Sequence, residues 1–277
     1  MAITEKVTEI IGRVPALDGN GTFTGAPIDK SRDMVEAVIA DQKNIVPALI
    51  ANLKELDDGT DYRERYLLHA ATTLLCTPGR EDQRDNFSDI VAKELKSDIP
   101  DSVIGFLLRQ LQLCGTKRNV AAIAELLKSE VNCECAVAAL LAIEDGAAKA
   151  LREALPRAKG KNKVEIANAL GVLRDVDSAK ELRSLAADAD ERLRLTASWA
   201  LAKIGDAKSV DHLLRNTECK GFARLEALDA CILLAENLQG SGGKKEAIRI
   251  YQHLANTCTD AREQHIREEA KLRIPAK

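Results

Sequence analysis

Cys133-Glu134-Cys135 sets two thiols and a carboxylate side by side, the raw material of a metal or redox site. Zinc sites usually part their cysteines by about two to four residues and add a second Cys/His pair. Here one residue intervenes and no such pair follows, so no metal is expected. Asp18-Gly19-Asn20-Gly21-Thr22 opens like a calcium loop, with Asp29 at its twelfth position. Phe23, however, stands where that loop needs glycine for its turn, and Asp29 is shorter than the usual bidentate Glu. An ordered surface loop is the expectation there. The histidines, His69, His212, His253 and His265, have no Ser or Cys partner nearby in sequence. There is no glycine-rich phosphate loop after a strand, no nucleophile elbow and no paired-histidine zinc helix. The sequence assigns no catalytic residue, no metal and no cofactor.

Two other groups are suited to binding. Between residues 149 and 163 lie Lys149, Arg152, Arg157, Lys159, Lys161 and Lys163, with Glu153 the only acid. Such a run could contact phosphates. It also has the make-up of a solvated helix end, where cations favour the negative pole of the helix dipole. The chain carries 40 Lys+Arg against 43 Asp+Glu, a net charge of −3, and the run holds no aromatic residue. A nucleic acid is therefore not the favoured partner. The second group is Thr196, Trp199 and Lys203, spaced three and four apart, which places them on one side of a helix.

The elements that would position these groups are helices. Apolar residues make up 45% of the chain and charged residues 30%, but the aromatics number only four Phe, three Tyr and one Trp. Wealth in Ala, Leu, Glu, Lys and Arg favours helices over strands. No stretch approaches the roughly 18 apolar residues of a membrane span. The N-terminus lacks a basic start followed by an unbroken apolar run, and a cytoplasmic location is expected. Seven cysteines, an odd number with several on apolar stripes, read as small buried hydrophobes in a reducing compartment. Cys114 and Cys231 are expected to be buried, and Cys219, in a turn, to be the most accessible.

The pattern then repeats. Leu193, Ala197, Ala200, Leu201 and Ile204 form one helical stripe; Gly205-Asp206 ends it, and Val210, Leu213 and Leu214 begin the next. Matching Asp175 to Asp206 gives a shift of 31 residues, and Asp145 to Asp175 a shift of 30. Leu111 to Gly115 fits upstream, and Cys231 to Asn237 downstream at a further 31. Arg194 is expected to tie the turn aspartates together. A unit of this length that cannot bury its own stripe must stack on its neighbours.

The segment 193–206 resembles the short HEAT-like repeat of phycocyanobilin-lyase-type proteins, V-R-x-x-A-A-x-A-L-G-x-I-G-D. Ser198 and Ala202 replace an Ala and a Gly, and Arg174 stands where the preceding repeat would carry glycine. The resemblance covers about residues 100–237. Residues 244–254 look like the first helix of a tetratricopeptide-type hairpin, with 260–273 its second. The fold expected is all-α, a right-handed α-α superhelix of roughly fourteen helices, read as one domain over residues 1–277. Within it we distinguish an N-terminal helix and Gly/Pro-rich loop (1–33), atypical helical repeats (34–100), HEAT-like repeats (101–238) and a capping hairpin (239–277).

In such a superhelix the second helix of each repeat lines the concave side. The residues placed there are Thr196, Trp199 and Lys203, with Glu165, Asn168, Phe106 and Arg109 at equivalent positions and Arg65 and His69, beside Tyr62 and Tyr66, in an earlier pair. This mixed aromatic and polar surface suits a protein or peptide partner. The function expected is a non-catalytic binding scaffold. An enzyme or enzyme subunit of the bilin-lyase or HEAT-like DNA-glycosylase type, or a nucleic-acid module using residues 149–163, are the alternatives.

Overall fold

A computed structural model describes residues 3–16, 28–55 and 59–275. Among them are sixteen α-helices and no strand, in two compact units, Met1–Ala150 and Leu151–Lys277. The calcium-like loop starting at Asp18 falls outside the described residues.

In the first unit lie α1 (Ile3–Arg13), α2 (Ile28–Ala40), α3 (Gln42–Ala51), α4 (Tyr62–Leu75), α5 (Glu81–Glu94), α6 (Asp101–Cys114), α7 (Val120–Ala124) and α8 (Cys133–Ile143). The chain breaks at Asp41 between α2 and α3. Alternate helices pack side by side: α2 on α4 on α6 on α8 in one layer, α1 on α3 on α5 on α7 in the other. Leu67, Leu68, Leu107, Leu108 and Leu111 are fully buried between the layers. The division between the units falls within α9 (Ala147–Ala154).

The second unit continues with α10 (Gly160–Val172), α11 (Ala179–Leu185), α12 (Glu191–Ile204), α13 (Val210–Asn216), α14 (Gly221–Gly240), α15 (Lys244–Thr257) and α16 (Gln264–Leu272). Here α10, α12 and α14 pack side by side, while α15 joins α14 and pairs with α16. The periodic stripe forms the core: Ala197, Ser198, Ala200 and Leu201 of α12 are buried, as are Ile166, Ala167, Ala169 and Leu170 of α10, 31 positions earlier. Burial places Ala227, Leu228, Ala230 and Cys231 opposite Ala197, Ser198, Ala200 and Leu201, so the step into α14 is 30 residues rather than 31.

The turns explain why the repeat ends in x-Asp. Gly205 caps α12 with φ 79°, a left-handed conformation that glycine adopts without a Cβ penalty. Arg174, at the same place one repeat earlier, takes φ 51° as well. The following aspartates are held by arginines, but not by Arg194. Arg152 of α9 pairs with Asp175, and Arg183 of α11 pairs with Asp206 at 2.8 Å, the same contact 31 residues on. Asp175 also accepts the Ser178 N–H at 3.0 Å, capping the short turn that follows. Arg194 instead donates to the carbonyls of Asp188 (2.9 Å) and Ala189 (3.3 Å), fastening the start of its own helix. No helix among the described residues is long and apolar enough to cross a membrane.

Candidate protein-binding face

In the second unit one side of α10, α12 and α14 is left outside the core. Each helix presents the residues that its buried stripe avoids. Glu165 and Asn168 on α10, and Thr196, Trp199 and Lys203 on α12, are all half-buried. By the 30-residue step, Glu226, Asp229 and Leu233 are their counterparts on α14. The helices come close because Gly171 has no side chain: a Cβ there would lie 2.6 Å from Ala200 Cα and 3.0 Å from Trp199 Cζ3. The indole therefore rests on the α10 backbone. On the same helix, one turn on, Lys203 Nζ stands 5.4 Å from the ring centroid, within cation–π range. Trp199 is thus fixed in place with part of its ring in solvent.

The first unit brings together its own members of the predicted set. Arg65 of α4 lies over the Phe106 ring of α6 at 5.0 Å. It is held there by Asp61, at 2.8 Å, and by the Lys54 carbonyl. His69 shares a 3.1 Å hydrogen bond with Gln110, and Arg109 extends from α6 exposed to solvent. Arg65 and Phe106 therefore form one stacked pair.

Other candidates fare differently. In the basic segment Arg152 is paired with Asp175 and Asp177. Cys133 is buried in the first turn of α8, and among the described residues no three His, Cys, Asp or Glu side chains converge as metal ligands. Cys114 and Cys231 are buried, and desolvation pushes both thiols up to about 12. Cys219 is half-buried beside the Arg194 guanidinium (3.8 Å), and the exposed thiol is Cys76, at the end of α4. A turn position alone does not show that a neighbouring arginine folds over it.

A cleft of about 440 Å³ lies between α13 and α15, lined by Asp211, Leu214, Arg215, Glu218, Arg249 and His253. Sequence reasoning missed it, because its lining comes from two helices whose separate residues carry no motif. Burial, with Arg224 adding to it, depresses the His253 pKa, and the ring bonds Thr217 Oγ1 at 2.8 Å. Arg249 pairs with Asp211 there, and Arg215 donates to the Asp211 carbonyl at 3.1 Å.

The architecture is that of an all-α helical-repeat protein, with consistent burial from repeat to repeat. Residues 148–231 match the family of HEAT repeats, and the paired helices of that segment are consistent with such repeats. No curated protein matches the chain. HEAT repeats generally serve as protein-interaction scaffolds.

Proposed function

We propose that this protein is a non-catalytic scaffold that binds a protein or peptide through the second-helix faces of its repeats. The binding residues are Arg65, His69, Phe106 and Arg109 in the first unit, and Glu165, Asn168, Thr196, Trp199 and Lys203 in the second. The observation that carries this reading is the chain's one tryptophan, half-buried on the α10–α12–α14 face between Gly171 and Lys203. Tryptophan and arginine dominate the binding energy of protein interfaces when a partner covers them.

Trp199→Ala separates this role from simple packing. As an interface anchor it costs about 2 kcal/mol of affinity, roughly 30-fold, with the thermal midpoint little changed. As a core residue it costs about 3–5 kcal/mol of stability instead. The partner is recovered from source lysate on immobilised protein and identified by mass spectrometry, and its affinity is then measured against wild type, Trp199→Ala and Arg109→Ala. A collapsed midpoint with unchanged affinity of the folded fraction refutes the proposal.

A further inference from the structure

Two of the seven cysteines end neighbouring helices in the first unit and meet there. Cys76 follows the last residue of α4, and Cys114 is the last residue of α6, which packs beside it. The Cys76 S–H donates to the Leu113 carbonyl at 3.4 Å, which sets its sulfur against the peptide bond leading into Cys114. The Cys114 thiol feels this neighbour directly: its ionisation is opposed first by burial and then by the charge of Cys76. Cys76 is exposed, whereas Cys114 is only 1% exposed. A dissolved oxidant therefore reaches Cys76 first, and Cys114 is reached through Cys76.

Arg84 completes the cluster. It stands on α5, which packs on both α4 and α6, and its positive charge favours the thiolate of each cysteine. One Nη lies 3.5 Å from the Asp85 carboxylate, whereas Nε is buried with no hydrogen-bond partner. A buried N–H without an acceptor is destabilising, and an oxygen added to a neighbouring sulfur would supply one. Contact with α6 takes part of the water from the Cys76 sulfur and raises its pKa, which Arg84 lowers only in part. Cys76 is thus a slow nucleophile at neutral pH. What favours its oxidation is the second sulfur held beside it, not its acidity. Both cysteines lie at helix ends, where the last carbonyls have no intrahelical partner and the backbone can yield to disulfide geometry.

We propose that Cys76 and Cys114 are a modification site, an oxidisable thiol pair in which a hydroperoxide forms a reversible disulfide between α4 and α6. The Cys76 sulfur attacks the terminal peroxide oxygen and the O–O bond breaks. Cys76 becomes a sulfenic acid, and its thiol proton leaves with the alkoxide as an alcohol, or as water from hydrogen peroxide. The Cys114 sulfur then attacks the Cys76 sulfur, the S–O bond breaks, and the hydroxyl departs with the Cys114 proton as water. In all, two thiols give up two electrons and two protons, and one hydroperoxide is reduced. Between the two steps the Arg84 guanidinium donates to the sulfenic oxygen.

The full chain, reduced and then freed of reductant, is treated with hydrogen peroxide, alkylated under denaturing conditions, digested and mapped by mass spectrometry. The expected product is a peptide pair joined through Cys76 and Cys114 in a chain that stays monomeric on a non-reducing gel. Dithiothreitol should reverse it in full. In Cys114→Ala the reaction should stop at a Cys76 sulfenic acid, trapped as its dimedone adduct. In Cys76→Ser, a change at an exposed position, Cys114 should stay reduced at the same dose. Arg84→Gln should slow disulfide formation at least threefold. A disulfide joining other cysteines, or two chains through Cys76, overturns the proposal. So does a Cys76 that runs on to sulfinic acid while Cys114 stays reduced, or oxidation of Cys114 in Cys76→Ser, because the thiols then do not act as a pair. An Arg84→Gln rate equal to wild type overturns the role given to Arg84. Should Cys114→Ala fail to fold, the wild-type peptide map and Cys76→Ser still decide the question.

Discussion

Replacing Gly171 with alanine adds one methyl group at the tightest point of the second unit. The new carbon would stand 2.6 Å from Ala200 Cα, 2.7 Å from Ala200 Cβ and 3.0 Å from Trp199 Cζ3. Favourable carbon–carbon separations lie at about 3.5–4.0 Å, so α10 and α12 must move apart by about 1 Å. One obstacle is backbone, which has no rotamer to yield, and the overpacking cost belongs near the upper end of the usual range, about 3 kcal/mol. Alanine's better helix propensity returns about 1 kcal/mol. The net loss of about 2 kcal/mol lowers the midpoint by about 8 °C for a unit of this size. Calorimetry reads the midpoint, and emission from Trp199, the chain's one tryptophan, reads the displaced indole. Ala200→Gly in the same chain removes the clash with the methyl group but leaves the clash with the backbone, and should restore only part of the loss. Gly240→Ala is the control, because a Cβ there meets nothing within 4 Å and its backbone is not left-handed. It should leave the midpoint unchanged or raise it. An equally mild result for Gly171→Ala would refute the close approach, and with it the platform on which Trp199 rests.

The paired turns predict changes of opposite sign: Arg174→Gly relieves a left-handed arginine and should add up to ~1 kcal/mol, whereas Gly205→Ala should cost about 1 kcal/mol, both read by chemical denaturation. Thiol labelling of the native protein should modify Cys76 first and spare Cys114 and Cys231; fast reaction at either buried site would contradict the packing of α6 or α14. Glu263 has its pKa held below the usual glutamate range, chiefly by the hydrogen bonds of Arg224. Its contribution is therefore full above the unfolded-state pKa and disappears as pH falls through the depressed folded value. Arg224→Met should cost about 2–3 kcal/mol near neutral pH and flatten the acid limb of the stability profile; an unchanged acid limb would show that the pair is not coupled to folding.

Much of the fold was legible because it depends on period alone. Ala197, Ala200 and Leu201 announce a buried stripe, and Ile166, Ala169 and Leu170, 31 residues earlier, announce a neighbour for it to bury against. Even Arg174, an apparent departure from the repeat, keeps the backbone conformation of the glycine it replaces. The geometry of the repeat is stronger than the preference of one residue. That Glu165, Asn168, Thr196, Trp199 and Lys203 stand off the buried stripe was accessible in the same way, since positions that avoid the stripe must point elsewhere.

Partner choice between side chains was not legible, because period says which face a residue occupies and not which neighbour reaches it. Arg194 looks equivalent to any arginine near a turn, yet Arg152 and Arg183, on the preceding first helices, are the ones whose length and direction bring them to Asp175 and Asp206. Cys219 lies in a turn and is nevertheless shielded by Arg194, while Cys76 ends a helix and is open. The exposure of Leu225 belongs to this second kind of fact. The 31-residue step read from the sequence sets Leu225 against Arg194; only burial shows the 30-residue step that sets it against the buried Leu195, and there Leu225 is 44% exposed. Period says where a stripe recurs, whereas the cover over any one position depends on the helix laid against it, which a single repeat does not contain.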